Sequence, residues 1–302
     1  MSTKEIVKMA KSGQLFFKIK EKMSVIYIKN ILVKNKQLEY REYKRLKRKY
    51  SQILEKFEAK KKMKPSNKVW VFWFQGEDNA PDLVKACIAS IKEKFKDKEV
   101  IMLDSESYKK YITFPNYIEE KFKKGIIPYA HFSDLIRIEL LAKHGGTWCD
   151  ATLFATETLP KVMTDSELFV FKSIPLDRTG KDLVVASNWY MSSYANNKII
   201  LATRDLLFEY WKKEKFLTHY FIFHIFFKMV TDKFNEEWKK VPTFNNISPH
   251  ILQFELLEEY NKERFEQIKQ MSPIHKLNRH IVNKNKKTET FFDHIIKNNF
   301  KG

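Results

Sequence analysis

A seven-residue run, KVWVFWF at positions 68–74, sets the strongest limit on what this chain can fold into. It is β-branched and aromatic with no charge after Lys68, and Gln75 and Gly76 end it, the pattern of a buried strand. Pro81 then opens a helix whose apolar positions are Leu83, Val84, Cys87, Ile88 and Ile91. A second short strand, Glu99 to Leu103, follows and ends in Asp104. Strand, helix and strand joined this tightly make a βαβ unit with parallel strands. The expected class is therefore α/β, a central sheet flanked by helices. Only 7 Gly and 9 Pro in 302 residues argue against an all-β or repeat architecture and for long helices.

Charge divides the chain. Residues 1–64 hold 17 Lys and 3 Arg against 6 Glu, which is +14 of the total of +19. They are expected to form a basic helical arm, broken near Ser12 and Gly13 or between Asn30 and Asn35, with residues 65–302 as the main domain. The first segment carries Leu15, Phe16, Phe17, Ile19 and Met23 among lysines. The second places Leu38, Tyr43, Leu46, Tyr50, Leu54 and Phe57 at spacings of three to five. Such a stripe either packs on the body or offers a basic, aromatic surface to an anionic membrane.

The two cysteines, Cys87 and Cys149, are too few and too far apart for a disulfide framework or a zinc site, which fits a reducing compartment. No stretch approaches ~20 apolar residues and no signal-peptide core opens the sequence, so a cytoplasmic chain, soluble or peripheral, is expected. The most apolar window, Phe216 to Val230, reads as a buried helix with His219 and His224 as core histidines.

The chemistry centres on His131, Asp134 and Arg137, then Gly145 and Gly146, then Asp150 and Thr152. Pro128 begins a helix that the glycines stop near Lys143. On it, His131, Asp134 and Arg137 step by three and share a face, while Phe132, Leu135, Ile136 and Leu140 cover another. Taken alone, Asp134 and Arg137 describe a surface ion pair. Asp150 adds a carboxylate at the carboxyl end of an apolar strand running from Thr147 to Phe154, with Thr152 on the same side. Open α/β sheets bind ligands at that end. Further strands are expected at Glu167 to Lys172 and Leu183 to Ser187, with Asn188 where the latter closes, and a loop from Ser272 to Leu277.

The segments KVWVFWFQGEDNAP, IPYAHFSDLIRIELLAKHGGTWCDATLF and SPIHKL resemble the capsular polysaccharide synthesis family of bacterial glycosyltransferases. That family is related to the DXD-containing sugar transferases of glycosyltransferase family 32. The resemblance implies a GT-A-type, Rossmann-like fold, a UDP-sugar donor such as UDP-galactose or UDP-glucose, and transfer with retention. It implies that Trp73 stacks on uracil with Gln75 beside it, that Asp134 and Arg137 hold the sugar, and that Asp150 is the first acid of the DXD motif. Thr152 stands where the second acid would be, so Mn²⁺ or Mg²⁺ at Asp150, Thr152 and His275 is expected to be weakly held, with Lys276 sharing the diphosphate charge. Asn188 is placed near the reacting sugar. The implied acceptor is a lipid-linked oligosaccharide at the inner membrane face, reached by a peripheral protein through its basic arm. No nucleic-acid partner is expected. The rival readings are a basic binding protein with a silent α/β domain, and a sugar-nucleotide hydrolase or nucleotidyltransferase.

Overall fold

The computed structural model describes residues 39–61, 63–174, 182–283 and 288–299. The first of the two expected arm segments lies outside them.

A five-stranded mixed sheet in the order β2-β1-β3-β6-β5 forms the centre. Strands β1 (Lys68–Phe72), β2 (Glu99–Leu103) and β3 (Gly146–Asp150) run parallel. Strands β5 (Leu168–Lys172) and β6 (Ala186–Ser193) complete the sheet, β6 lying antiparallel to both β3 and β5. Helices cover both faces, so the expected α/β architecture is the observed one.

Both faces of β1 are buried, which explains its uninterrupted apolar sequence. Trp70 and Phe72 face one cluster together with Trp148 and Met191. There they meet helix α1 (39–55), helix α4 (Tyr129–His144), helix α5 (Lys198–Lys213) and helix α6 (Ile222–Lys233). Val69 and Val71 face the other cluster with Cys149 and Tyr190, under helix α2 (Asp82–Lys94). Helix α3 (Asn116–Lys123) packs beside α5.

The helix α1 stripe is inside the main core. Tyr43, Leu46, Tyr50 and Leu54 are buried, and the Tyr50 ring meets Phe226 edge-on at 5.5 Å. The Tyr43 hydroxyl donates to Asp232 at 2.9 Å and the Tyr50 hydroxyl to Glu214 at 3.0 Å. On the far side of the same helix Arg41, Lys44 and Arg48 are exposed. Steps of three and four residues put those cations on one face and the buried stripe opposite.

Several expected boundaries move. The run from Thr147 to Phe154 is not one strand: β3 ends at Asp150, residues 151–152 turn, and β4 (Leu153–Ala155) leaves the sheet. It pairs antiparallel with β7 (Ile274–Lys276), in the segment expected to be a loop. Backbone pairing with β4 gives those three residues the partners a loop reading denied them. Asn188 lies near the start of β6, not at a strand's end. Residues 214–221 are irregular, so the apolar window from Phe216 is helical only from Ile222. Beyond β7, helix α7 (Phe291–Asn299) packs on α2. Among the described residues no helix is long and apolar enough to cross a membrane.

Candidate active site

Helix α4 ends at His144, and Gly145 and Gly146 turn the chain straight into β3 at φ values of 64° and 92°. Side chains rarely adopt that region, and a Cβ on Gly145 would stand 2.5 Å from the Ala195 nitrogen. The close turn lays α4 beside β3, so residues thirteen apart meet: Arg137 Nη2 donates to Asp150 Oδ1 at 2.9 Å. Arg137 Nη1 donates to Asp134 Oδ1 as well.

Arg137 is not the surface group that its helical face suggested. It is 4% exposed, with its guanidinium 4.8 Å from the centre of the Trp148 ring. It sits between the two carboxylates and fixes both. Asp134 Oδ1 also accepts from Asn188 Nδ2 at 2.9 Å, and His131 Nδ1 lies 3.5 Å from Oδ2. Asn188 reaches the cluster because β6 is antiparallel: its beginning lies beside the carboxyl ends of β1 and β3. Asp150 Oδ1 takes a second bond from Trp148 Nε1 at 2.9 Å, and Oδ2 one from Lys276 Nζ at 3.0 Å. Lys276 Nζ donates to the Thr152 hydroxyl too.

Burial pushes both carboxyls upward, but for Asp134 the charge of Arg137 outweighs it, and for Asp150 those of Lys276 and Arg137 do. Both end below the ordinary carboxylate range and are ionised at neutral pH. The quartet Asp134, Asp150, Arg137 and Lys276 is therefore charge-neutral and tied together by hydrogen bonds.

These residues floor a cleft of about 650 Å³. Its wall includes Trp73, Gln75, Asn188 and Thr152. Arg279 extends over Trp73, 5.3 Å from the ring centre. Tyr129, Tyr220 and Phe221 stand at the opening, 65%, 71% and 38% exposed. Of the expected site residues, Trp73, Gln75, Asp134, Arg137, Asp150, Thr152, Asn188 and Lys276 come together here.

His275 does not. On a strand, neighbours point to opposite sides, so Lys276 enters the cleft while His275 turns inward, fully buried, its Nε2 3.2 Å from the Thr156 hydroxyl. Burial takes its imidazole down to about 3. His224, expected in the core, lines the cleft instead, and burial lowers it to about 4 against the opposing pull of Asp134. His219 is half-buried in the irregular segment before α6. Trp148, His224 and Arg279 belong to the site without having been assigned to it from the sequence. Only Trp148 carried a signal, its i, i+2 relation to Asp150 on one strand.

A Mn²⁺ or Mg²⁺ cage at Asp150, Thr152 and His275 does not fit this arrangement. His275 faces away, both Asp150 oxygens and the Thr152 hydroxyl are engaged by protein cations or Trp148, and hard cations require several free oxygens. Among the described residues no three His, Cys, Asp or Glu side chains converge to hold a metal.

A family model described as "Capsular polysaccharide synthesis protein" matches residues 21–295. The chain belongs to that family. Family membership covers the sheet, the cleft and β7 alike, and supports a glycosyltransferase role. Among curated proteins none matches this chain. One similar solved structure is described as a PaToxG glycosyltransferase: identity is 17%, with 78% of this chain and 94% of that chain covered. The TM-score is 0.37, too low to establish a shared topology.

Proposed function

We propose that the protein is a retaining hexosyltransferase that takes a hexose from a UDP-sugar, UDP-galactose or UDP-glucose, and passes it to a lipid-linked oligosaccharide in capsule synthesis. The observation that carries this reading is the neutral, pre-bonded quartet Asp134, Arg137, Asp150 and Lys276. It lies at the carboxyl ends of β1 and β3, in a cleft large enough for a nucleotide sugar.

In this reading Trp73 is the platform for the base and Gln75 lies beside it. Asp134 and Asn188, already joined, present acceptors and donors to sugar hydroxyls. Arg137 is a positioning residue: buried beneath them, it sets the angle of both carboxylates. As the bond between the anomeric carbon and the diphosphate oxygen breaks, its electron pair leaves with the diphosphate, whose growing charge Lys276 faces. The acceptor hydroxyl oxygen bonds to the anomeric carbon on the face just vacated, and its proton passes to the departing phosphate oxygen. Pre-set partners mean that little reorganisation is needed during the step. The exposed aromatics Tyr129, Tyr220 and Phe221 suit the flat faces of acceptor sugars.

The basic N-terminal region supports attachment to an anionic membrane, where such an acceptor is anchored. Release of UDP from each donor, measured with a lipid-linked oligosaccharide and with water alone, tests the reading. Acceptor-dependent UDP release is expected. Equal release with water would make the protein a hydrolase.

A further inference from the structure

We propose that Lys276 takes the place of a divalent cation, so that the donor diphosphate is held, and its departing charge neutralised, without a metal. The proposal rests on the nucleotide-sugar reading above and adds how its leaving group is stabilised.

Three observations carry it. First, Lys276 is built in. Strand β7 pairs with β4 so that Lys276 lies opposite Leu153, and the Leu277 nitrogen donates to the Thr152 carbonyl at 2.9 Å. The ammonium is therefore delivered to residue 152 by a backbone clamp, and its side chain is only 21% exposed. A surface lysine on a loop would have neither restraint.

Second, the ammonium already engages the oxygens that a cation at this turn would need. It touches Asp150 Oδ2 and the Thr152 hydroxyl, the two oxygens that this turn offers to the cleft. A divalent ion could take them only by displacing Lys276, against the repulsion of like charges. An aspartate at 152 would change this balance by adding a second carboxylate, but threonine is neutral.

Third, the donor count leaves room for the ligand. An ammonium has three N–H donors and no acceptor. Asp150 and Thr152 use two, which leaves one for a phosphate oxygen in the cleft that Lys276 lines. Arg279 on the same wall is a second cation within the site. Lysine suits this task as a compact point charge, whereas arginine would impose a planar fork.

Calorimetry with UDP on the full chain, once in a chelator and once in Mn²⁺, tests the proposal, alongside turnover of UDP-galactose and UDP-glucose in the same buffers. For the unaltered protein the two dissociation constants should agree within about twofold, and turnover should survive chelation. Lys276→Met should weaken UDP binding about tenfold or more in chelator. It should recover part of that loss in Mn²⁺, since Asp150 Oδ2 and the Thr152 hydroxyl are then free. Lys276→Arg, which keeps the charge, should fall between the two. Should Lys276→Met fail to fold, the unaltered protein decides the matter alone. UDP binding and turnover that vanish in chelator and return with Mn²⁺ would overturn the proposal. Absence of binding by UDP, GDP and ADP in both buffers would instead overturn the donor reading beneath it.

Discussion

The cleft floor and helix α1 are both rich in charge, and they use it in opposite ways. On the floor, Asp134, Arg137 and Asp150 are held in fixed bonds within a largely buried cluster. On α1, Arg41, Lys44 and Arg48 stand exposed on one face while Tyr43, Leu46, Tyr50 and Leu54 anchor the other in the core. Buried pairs are weakly screened by salt and costly to break, whereas exposed charges are strongly screened and individually dispensable. The floor can therefore position a substrate, and the α1 face can only attract or repel.

Asp150→Asn is expected to produce the largest effect. It removes the negative charge between Arg137 and Lys276 and should cut turnover by about a thousandfold, the scale of losing a transition-state contact. Turnover assays alongside a thermal melt would check it, and near-normal activity in a folded variant would remove Asp150 from the site.

Arg137→Ala should act on stability as well as rate. It leaves two carboxylates in a buried site without their shared cation, a change that costs about 3–5 kcal/mol. Denaturant unfolding measures this. A loss below about 1 kcal/mol would mean that the floor is as tolerant as an exposed pair.

Acid sharpens the contrast further. In the unfolded chain His224 takes up a proton near 6.5, but in the folded protein burial delays this to about 4. Its stabilising contribution is thus complete above 6.5 and is lost as pH falls toward 4, at about 1.4 kcal/mol per pH unit for one proton. His275, held at about 3, behaves in the same way. The lowered carboxyls of Asp134 and Asp150 add a loss below their ordinary range. Melting temperature should fall between pH 6.5 and 4.5, and His275→Gln should flatten part of that slope. A flat profile would mean that these histidines are protonated in the fold.

The smallest effect on chemistry should come from α1. Changing Arg41, Lys44 and Arg48 together to Glu should leave turnover of a soluble acceptor unchanged. Binding to anionic vesicles should weaken, each lost basic residue being worth about 1 kcal/mol near such a surface. Vesicle co-sedimentation at low and high salt reads this directly, and undiminished binding would separate α1 from the membrane. Deleting residues 1–62 would not isolate this effect, because it removes Leu46 and Tyr50 from the core. Deleting residues 1–38 spares them.

Much of the fold was legible because its signals are local. The apolar run at β1, the proline before α2 and the paired glycines after α4 each state a backbone requirement within a few residues. The same holds for Asp134, Arg137 and Asp150: a helix step, a two-glycine turn and a strand end suffice to bring them together. Sequence alone also determined that the chain carries one excess of charge, at its N-terminal end.

Other features depended on contacts distant in sequence. Whether α1 is free or packed was decided by Tyr210 and Phe226, more than 150 residues away, which complete the pocket for Tyr50. The antiparallel insertion of β6 decided where Asn188 points. The pairing of β7 with β4 decided between two adjacent candidates, sending Lys276 into the cleft and His275 into the interior. Strand alternation guarantees that only one of the two can face the site. Which one does so is set by register, and register is a property of the assembled sheet.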